Sequence, residues 1–371
     1  MEAKHLETMC QQQFIKSATK KLDLYNRGES PRRILFIGWW GDPANSLTEM
    51  FLRKGCEVTW WGDGATNMQP IVPGVDIHYL PCRYETVPNG PLGPCTISVR
   101  RVKLNTILEL FPTRFDMIFH CQDWEIIESD GKSDIPYFYY WTEMFVPYVP
   151  KAATHVICLN DKAVELAKLY YRNQFLYMKM PFALREGMNL YTNTQPQRFT
   201  PGGQNRPVQC SFAGKVYGFK FYEPRHEVIS HLAKAVPGFK SWCNSFIDPY
   251  TGITYPPIGV DAGLCWQAYT DVLGRTNKGI NVPTIVAPNF RDFEVPGAGA
   301  ELVTQDVPGM KELGFKDGVN CHFYKTKEEA AEICKQPYDR KVAFEGHYLV
   351  HQEHTWERRF EPFWKYIENK I

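Results

Sequence analysis

Two consecutive doubly wound, Rossmann-like α/β domains, of similar size and facing a cleft, are what this sequence predicts. The chain has 371 residues, too long for one ordinary core and comfortable for two. Two well-separated stretches each open on a short apolar run stopped by glycine, the form of a buried parallel strand. The first is Arg33-Ile34-Leu35-Phe36-Ile37-Gly38 and the second is Val208-Gln209-Cys210-Ser211-Phe212-Ala213-Gly214. Residues 193–207, rich in Thr, Gln, Pro and Gly, read as the linker between them.

Residues 1–30 read as a leading helix or arm, helical over 3–21 and ended by the turn signal Asn26-Arg27-Gly28. After the first strand comes the loop Gly38-Trp39-Trp40-Gly41-Asp42, then a helix over 46–54 capped by Gly55 and a strand over 57–61. A strand-loop-helix-strand unit of this kind opens a parallel sheet. Further strands at 76–80, 117–120, 137–141 and 155–159 carry the first domain to about residue 185. In the second half, helices fit 224–235, 290–297, 308–313, 327–335, 339–351 and 356–369. Strands fit 239–243, 279–282, 300–304 and 321–324. Such sheets bind ligands at the carboxyl ends of their strands.

Composition excludes several classes. Hydrophobic residues make up 44% and charged residues 22%, the balance of a folded protein. A formal net charge of +1 gives no global field that selects nucleic acid, membrane or an acidic partner. The eleven cysteines stand singly with no metal-ligand spacing, so they read as reduced thiols of a cytoplasmic protein, in the host cytoplasm if the source is viral. No apolar run approaches the roughly 20 residues of a membrane span. Aromatic content is high at 14%; most of these rings must fill cores, although flat rings also suit sugar and base faces.

The informative run is Arg291-Asp292-Phe293-Glu294-Val295-Pro296-Gly297-Ala298-Gly299, leading into Ala300-Glu301-Leu302-Val303-Thr304. It sets Arg291 and Glu294 on the first turn of a helix, where backbone N–H groups and the macrodipole favour a diphosphate. Arg291 adds a forked cation, and Glu294 can accept hydrogen bonds from both hydroxyls of a ribose.

This run resembles the spore-maturation (CgeB-type) glycosyltransferases, in which an R-x-F-E-x-x-x-x-G segment precedes a strand. Phe212-Ala213-Gly214 is similar to that family's opening F-x-G strand, and Tyr269-Thr270-Asp271-Val272-Leu273-Gly274-Arg275 to the segment before its next strand. Glu353-His354-Thr355-Trp356-Glu357-Arg358-Arg359 matches its E-H-T-[YW]-x-x-R ending. The resemblance implies a GT-B architecture. An acceptor-binding domain would span 1–190, a linker 191–207 and a nucleotide-sugar-binding domain 208–350, and a C-terminal helix over 351–371 would cross back to the first domain. It implies a UDP-, GDP-, dTDP- or CDP-sugar as donor substrate, with no cofactor and no metal, and transfer with retention. Glu294 becomes the ribose carboxylate; Arg291, Lys215 and Arg225 neutralise the diphosphate. One departure concerns the E-x7-E pattern of retaining enzymes, whose first carboxylate is replaced here by Val286; backbone N–H groups of that loop are left to hold the sugar.

In the first half, His120-Cys121-Gln122-Asp123-Trp124 resembles the H-x-H-D-W stretch of glycogen-synthase-like transferases, with Gln122 at the second histidine. His120 and Asp123 are the catalytic candidates, binding sugar hydroxyls or, in an inverting reaction, acting as general base. Trp39 and Trp40 are acceptor-binding candidates. The basic stretch Arg100-Arg101-Val102-Lys103 reads as a solvated loop, able at most to grip phosphates.

The acceptor is a glycan, a protein or a hydroxymethylated DNA base, the last requiring a phage-type transferase with a basic face and aromatic rings for an extruded base. From another class, a non-catalytic sugar-nucleotide or glycan-binding protein also fits. An NAD-dependent oxidoreductase is disfavoured, because residues 38–41 lack G-x-G-x-x-G.

Overall fold

A computed structural model of the chain describes residues 31–38, 43–62, 76–79, 83–90, 93–112, 114–121, 125–142, 148–171, 174–184, 206–216, 223–243, 245–247, 254–260 and 266–368. The predicted leading helix and linker lie outside these residues.

The strands are β1 Arg33–Gly38, β2 Glu57–Gly62, β3 Asp76–Tyr79, β4 Arg83–Gly90, β5 Gly93–Lys103, β6 Met117–Cys121, β7 Glu125–Glu128, β8 Tyr137–Tyr140, β9 His155–Cys158 and β10 Leu176–Lys179. Those that follow are β11 Val208–Ala213, β12 Phe239–Trp242, β13 Phe246–Ile247, β14 Thr254–Tyr255, β15 Thr276–Ile280, β16 Glu301–Thr304 and β17 His322–Phe323. The helices are α1 Ala44–Arg53, α2 Leu104–Glu109, α3 Asp161–Tyr171, α4 Glu223–Ala235, α5 Trp266–Gly274, α6 Phe290–Gly297, α7 Lys327–Lys335, α8 Arg340–Glu353 and α9 Trp356–Glu368.

The chain divides into two compact units. The first comprises Met1–Leu159, Ala163–Met180 and Arg359–Ile371; the second comprises Asn160–Lys162 and Pro181–Arg358. The first unit is built on a seven-stranded sheet of order β10-β9-β8-β6-β1-β2-β3, parallel at every pairing. A smaller sheet, β4-β5-β7, accompanies it. The second unit is built on the parallel sheet β12-β11-β15-β16-β17.

Apolar runs form these strands because each is covered on both faces. β1, β6, β8 and β9 are buried almost throughout. Aromatic rings fill the first unit: Phe36 stacks on Trp60 at 4.7 Å, and Phe51 meets Phe119 edge-on at 5.5 Å. The last helix supplies Phe360 and Phe363 to the same core, 4.9 Å from Phe51 and 5.4 Å from Phe138. The aromatic excess is therefore spent largely on packing, with Trp60, Trp61, Trp141 and Trp356 among the largest fully buried side chains. In the second unit the core gathers Phe212, Ile229, Leu232, Ile280 and Val303.

Close approach explains one glycine. Gly38 pairs with Cys121 across β1 and β6 at φ +146°, and a Cβ there would lie 2.1 Å from the Cys121 carbonyl oxygen.

Two sequence expectations are corrected. Residues 308–313 form turns rather than a helix, because Gly309 adopts φ +101° and breaks the right-handed path. The basic stretch ends strand β5 instead of forming a loop, and Arg101 bonds the Glu128 carboxylate at 2.9 Å. Among the described residues, no helix is long and apolar enough to cross a membrane. The seven described cysteines assigned as free are all buried.

Candidate functional site

The informative run forms α6, and its first turn sits at the carboxyl ends of β11, β15 and β16. Asn289 caps the helix: its side chain accepts the Arg291 backbone N–H at 3.0 Å, and Asp292 accepts the Asn289 N–H at 2.8 Å. This capping box takes up N–H groups that the sequence reading left free for a diphosphate. The macrodipole remains, but the first turn already carries its own carboxylate.

Asp292 is fully buried. Its second oxygen accepts from Asn281 Nδ2 and Thr304 Oγ1, each at 2.8 Å. Burial pushes its carboxyl up, against the pull of these hydrogen bonds and of Arg291. Asn281 is shared further: its Oδ1 accepts from Arg291 Nη1 at 3.2 Å, and its carbonyl accepts from Tyr324 Oη at 2.9 Å. Three strand ends are thus tied to one helix start.

Arg291 lies across this junction. Its Nη2 donates to the Ala213 carbonyl, and its guanidinium stacks over Phe212 at 4.6 Å, a cation–π contact. Two of its five donors are used, and the buried Nε has no hydrogen-bond partner among the described residues. Gly214, at φ +152°, makes room: a Cβ would stand 2.7 Å from Arg291 Nη2.

Glu294 lies three residues on, on the same helix face. It is 3% exposed, and its Oε2 accepts from Tyr269 Oη at 2.7 Å. Tyr269 belongs to α5, inside the second landmark of the resemblance. Sequence reasoning did not single out Tyr269, Asn281, Asp292 or Thr304. A local signal existed for one of them: Asn289 and Asp292 have capping-box spacing.

Arg225 is buried and clamps backbone. Its Nε and Nη2 donate to the Val282 carbonyl at 3.0 and 2.9 Å, and its Nη1 to the Lys215 carbonyl at 3.0 Å. It braces the loops after β15 and β11. The Lys215 side chain is exposed and unpaired among the described residues.

In the first unit, His120 is fully buried near the carboxyl end of β6. Its Nδ1 lies 2.9 Å from Tyr137 Oη, and its ring meets Tyr139 edge-on at 4.9 Å. The structure therefore seats it among aromatic rings. Asp123, Trp39 and Trp40 lie outside the described residues. Among the described residues, no group of three or more His, Cys, Asp or Glu is arranged to hold a metal ion.

Residues 225–365 match the glycosyl transferase-like family model. That stretch contains Arg225, α5, α6 and the terminal E-H-T-W segment. Among solved structures, HepE (Alr3699) of Anabaena, in complex with UDP and glucose, is similar at 14% identity, covering 91% of this chain and all of its own, with a TM-score of 0.56. An E. coli structure, trehalose-6-phosphate bound with UDP-2-fluoro glucose, aligns at 9% identity over 91% of this chain and 99% of that one, TM-score 0.54. The UDP-forming α,α-trehalose-phosphate synthase of Burkholderia vietnamiensis aligns at 8% identity over 92% and 100%, TM-score 0.53. No curated protein matches the chain significantly.

The chain has the GT-B fold of these structures, and within it residues 225–365 match a glycosyl transferase-like domain. The glycosyl transferase-like domain is the part of the chain that carries Arg291 and Glu294.

Proposed function

We propose that the chain transfers a sugar from a uridine diphosphate sugar to a hydroxyl acceptor, holding the donor on the second unit at the carboxyl ends of β11 and β15. One observation carries this reading. Arg291 and Glu294 stand one turn apart on α6, within the matched family domain, at the strand ends where such sheets take nucleotides. Of the similar structures, HepE is in complex with UDP and with UDP-glucose, which supports uridine as the base.

In this account Glu294 accepts hydrogen bonds from the ribose, with Tyr269 orienting its carboxylate. The remaining Arg291 donors and the unpaired Lys215 ammonium take the diphosphate, because the capped first turn of α6 offers fewer N–H groups than an open one. Arg225 is a positioning residue: it fixes the carbonyl of Lys215 and the backbone after β15. Transfer with retention and without a metal, and membership of the CgeB-type branch, rest on the sequence landmarks. His120 would support the strand end that leads to Asp123, and Trp39 and Trp40 would face the acceptor.

A thermal-shift panel of UDP-, GDP-, dTDP- and CDP-sugars tests the donor assignment. At a hundredfold excess over Kd, a ligand selective for the folded state adds about 2.7 kcal/mol of stability. The UDP-sugar is expected to raise Tm in the wild type, and the shift to be largely lost in Glu294→Ala. Equal shifts in both proteins would remove the site assignment. Retention is read separately, from the anomeric configuration of the product by NMR.

A further inference from the structure

The first unit holds a cavity of about 890 Å³ that the donor site does not use. Its place in the fold is informative. Arg114 precedes β6, Asp134 precedes β8 and Lys151 precedes β9, so it opens at the amino ends of the seven-stranded sheet. That is the pole opposite the carboxyl ends, where parallel sheets place their nucleotide and substrate sites.

The floor is apolar: Leu104, Ile126 and Ile127 are 4%, 6% and 0% exposed, and Tyr148 lies beside them. The rim is charged. Lys103, Arg114 and Lys151 come from three separate segments, are exposed, and have no ion pair or hydrogen-bond partner among the described residues. Arg101 is engaged by Glu128 at 2.9 Å, and Lys132 by the Ala153 carbonyl at 2.6 Å. Asp130 and Asp134 also reach the cavity, and neither has a partner among the described residues. The lining therefore holds five cations and three carboxylates, an excess of positive charge in a chain whose total is only +1.

Convergent unpaired cations ask for an anion, whereas unpaired carboxylates reject one and accept hydrogen bonds from hydroxyls. A ligand satisfying both carries hydroxyls and an anionic group on a body with apolar faces. A continuous phosphate backbone fits poorly, since it would lie against Asp130 and Asp134. We infer that this cavity binds an anionic saccharide, as a holding site for a charged glycan away from the site of transfer. The holding role rests on the glycosyltransferase reading; the ligand chemistry rests on the cavity alone.

Isothermal titration of the full chain tests it, with a sulfated, uronate-bearing tetrasaccharide, neutral maltotetraose, inorganic phosphate and a short DNA duplex as probes. The charged tetrasaccharide is expected to bind at least tenfold more tightly than maltotetraose. Lys103→Glu/Lys151→Glu, at two exposed positions, should weaken it at least tenfold while leaving Tm and the UDP-induced thermal shift unchanged. Asp134→Asn should weaken the tetrasaccharide but tighten phosphate, an opposition that a plain anion pocket does not produce. The proposal is overturned if the tetrasaccharide fails to bind or ignores the Lys103/Lys151 pair. It is equally overturned if Asp134→Asn tightens both ligands, or if the duplex outcompetes the saccharide. Loss of UDP binding alone, with saccharide binding as expected, would overturn the donor assignment and leave the cavity standing.

Discussion

Asp292 is a buried carboxylate that stays in place because four groups hold it: the Asn289 N–H, the Asn281 amide, the Thr304 hydroxyl and the nearby Arg291 charge. It fixes the helix start that presents Arg291 and Glu294. Gly214 serves the same geometry from the opposite strand. An alanine there must hold φ near +152°, a conformation costing about 1–3 kcal/mol for a residue with a Cβ, and must displace Arg291 Nη2. Gly214→Ala is therefore expected to lose about that much stability in urea unfolding and to bind UDP at least tenfold more weakly. Wild-type UDP affinity in this variant would show that the Arg291 position does not matter. At this scale the sequence was legible where spacing is local. Arg291 and Glu294 are three apart, and so share a helix face. Tyr269, Asn281 and Thr304 reach the same place only through strand register and helix packing, which no local pattern encodes.

α8 acts on α6 from its other end. His347 Nδ1–H donates to the Pro296 and Gly297 carbonyls at 3.2 and 3.1 Å, and His351 Nε2–H to Gly297 at 3.1 Å. A helix carboxyl end favours a cation, but burial outweighs that preference here. Burial, then the neighbouring His351, pushes His347 down from 6.5 to about 3, and burial also lowers His351. Between pH 6.5 and 3 the unfolded chain thus holds more protons than the folded one. Stability should be complete above pH 6.5 and fall with pH across that window, by up to about 1.4 kcal/mol per unit from His347 alone. Urea midpoints measured from pH 7 to 4 check this; His347→Gln/His351→Gln is expected to flatten the slope, and an unchanged slope would contradict it. Elements were legible where apolar spacing and caps agreed, as for Phe290–Gly297 and Lys327–Lys335. They were not where the chain bends for tertiary reasons. Residues 308–313 carry helix-forming side chains around a glycine at φ +101°. The strand Arg83–Gly90, which the sequence pattern did not bring out, contains proline, asparagine and glycine, residues that are depleted in strands.

For the whole chain, two parallel sheets in sequence order follow from the two glycine-stopped apolar runs, because each run begins a sheet that is covered on both faces. The return of the last helix to the first unit from Arg359 onward is also consistent with its pattern, since Phe360, Phe363 and Trp364 recur at helical spacing. Near-neutral total charge hid the local excess around Lys103, Arg114 and Lys151, which come from distant segments. Donor binding at the start of α6 is the central claim, and a crystal structure of the protein with UDP tests it most directly. The ribose hydroxyls are expected within hydrogen-bond distance of the Glu294 carboxylate, and the phosphates beside Arg291 and Lys215. UDP bound elsewhere, with Glu294 still engaged only by neighbouring protein groups, would contradict it.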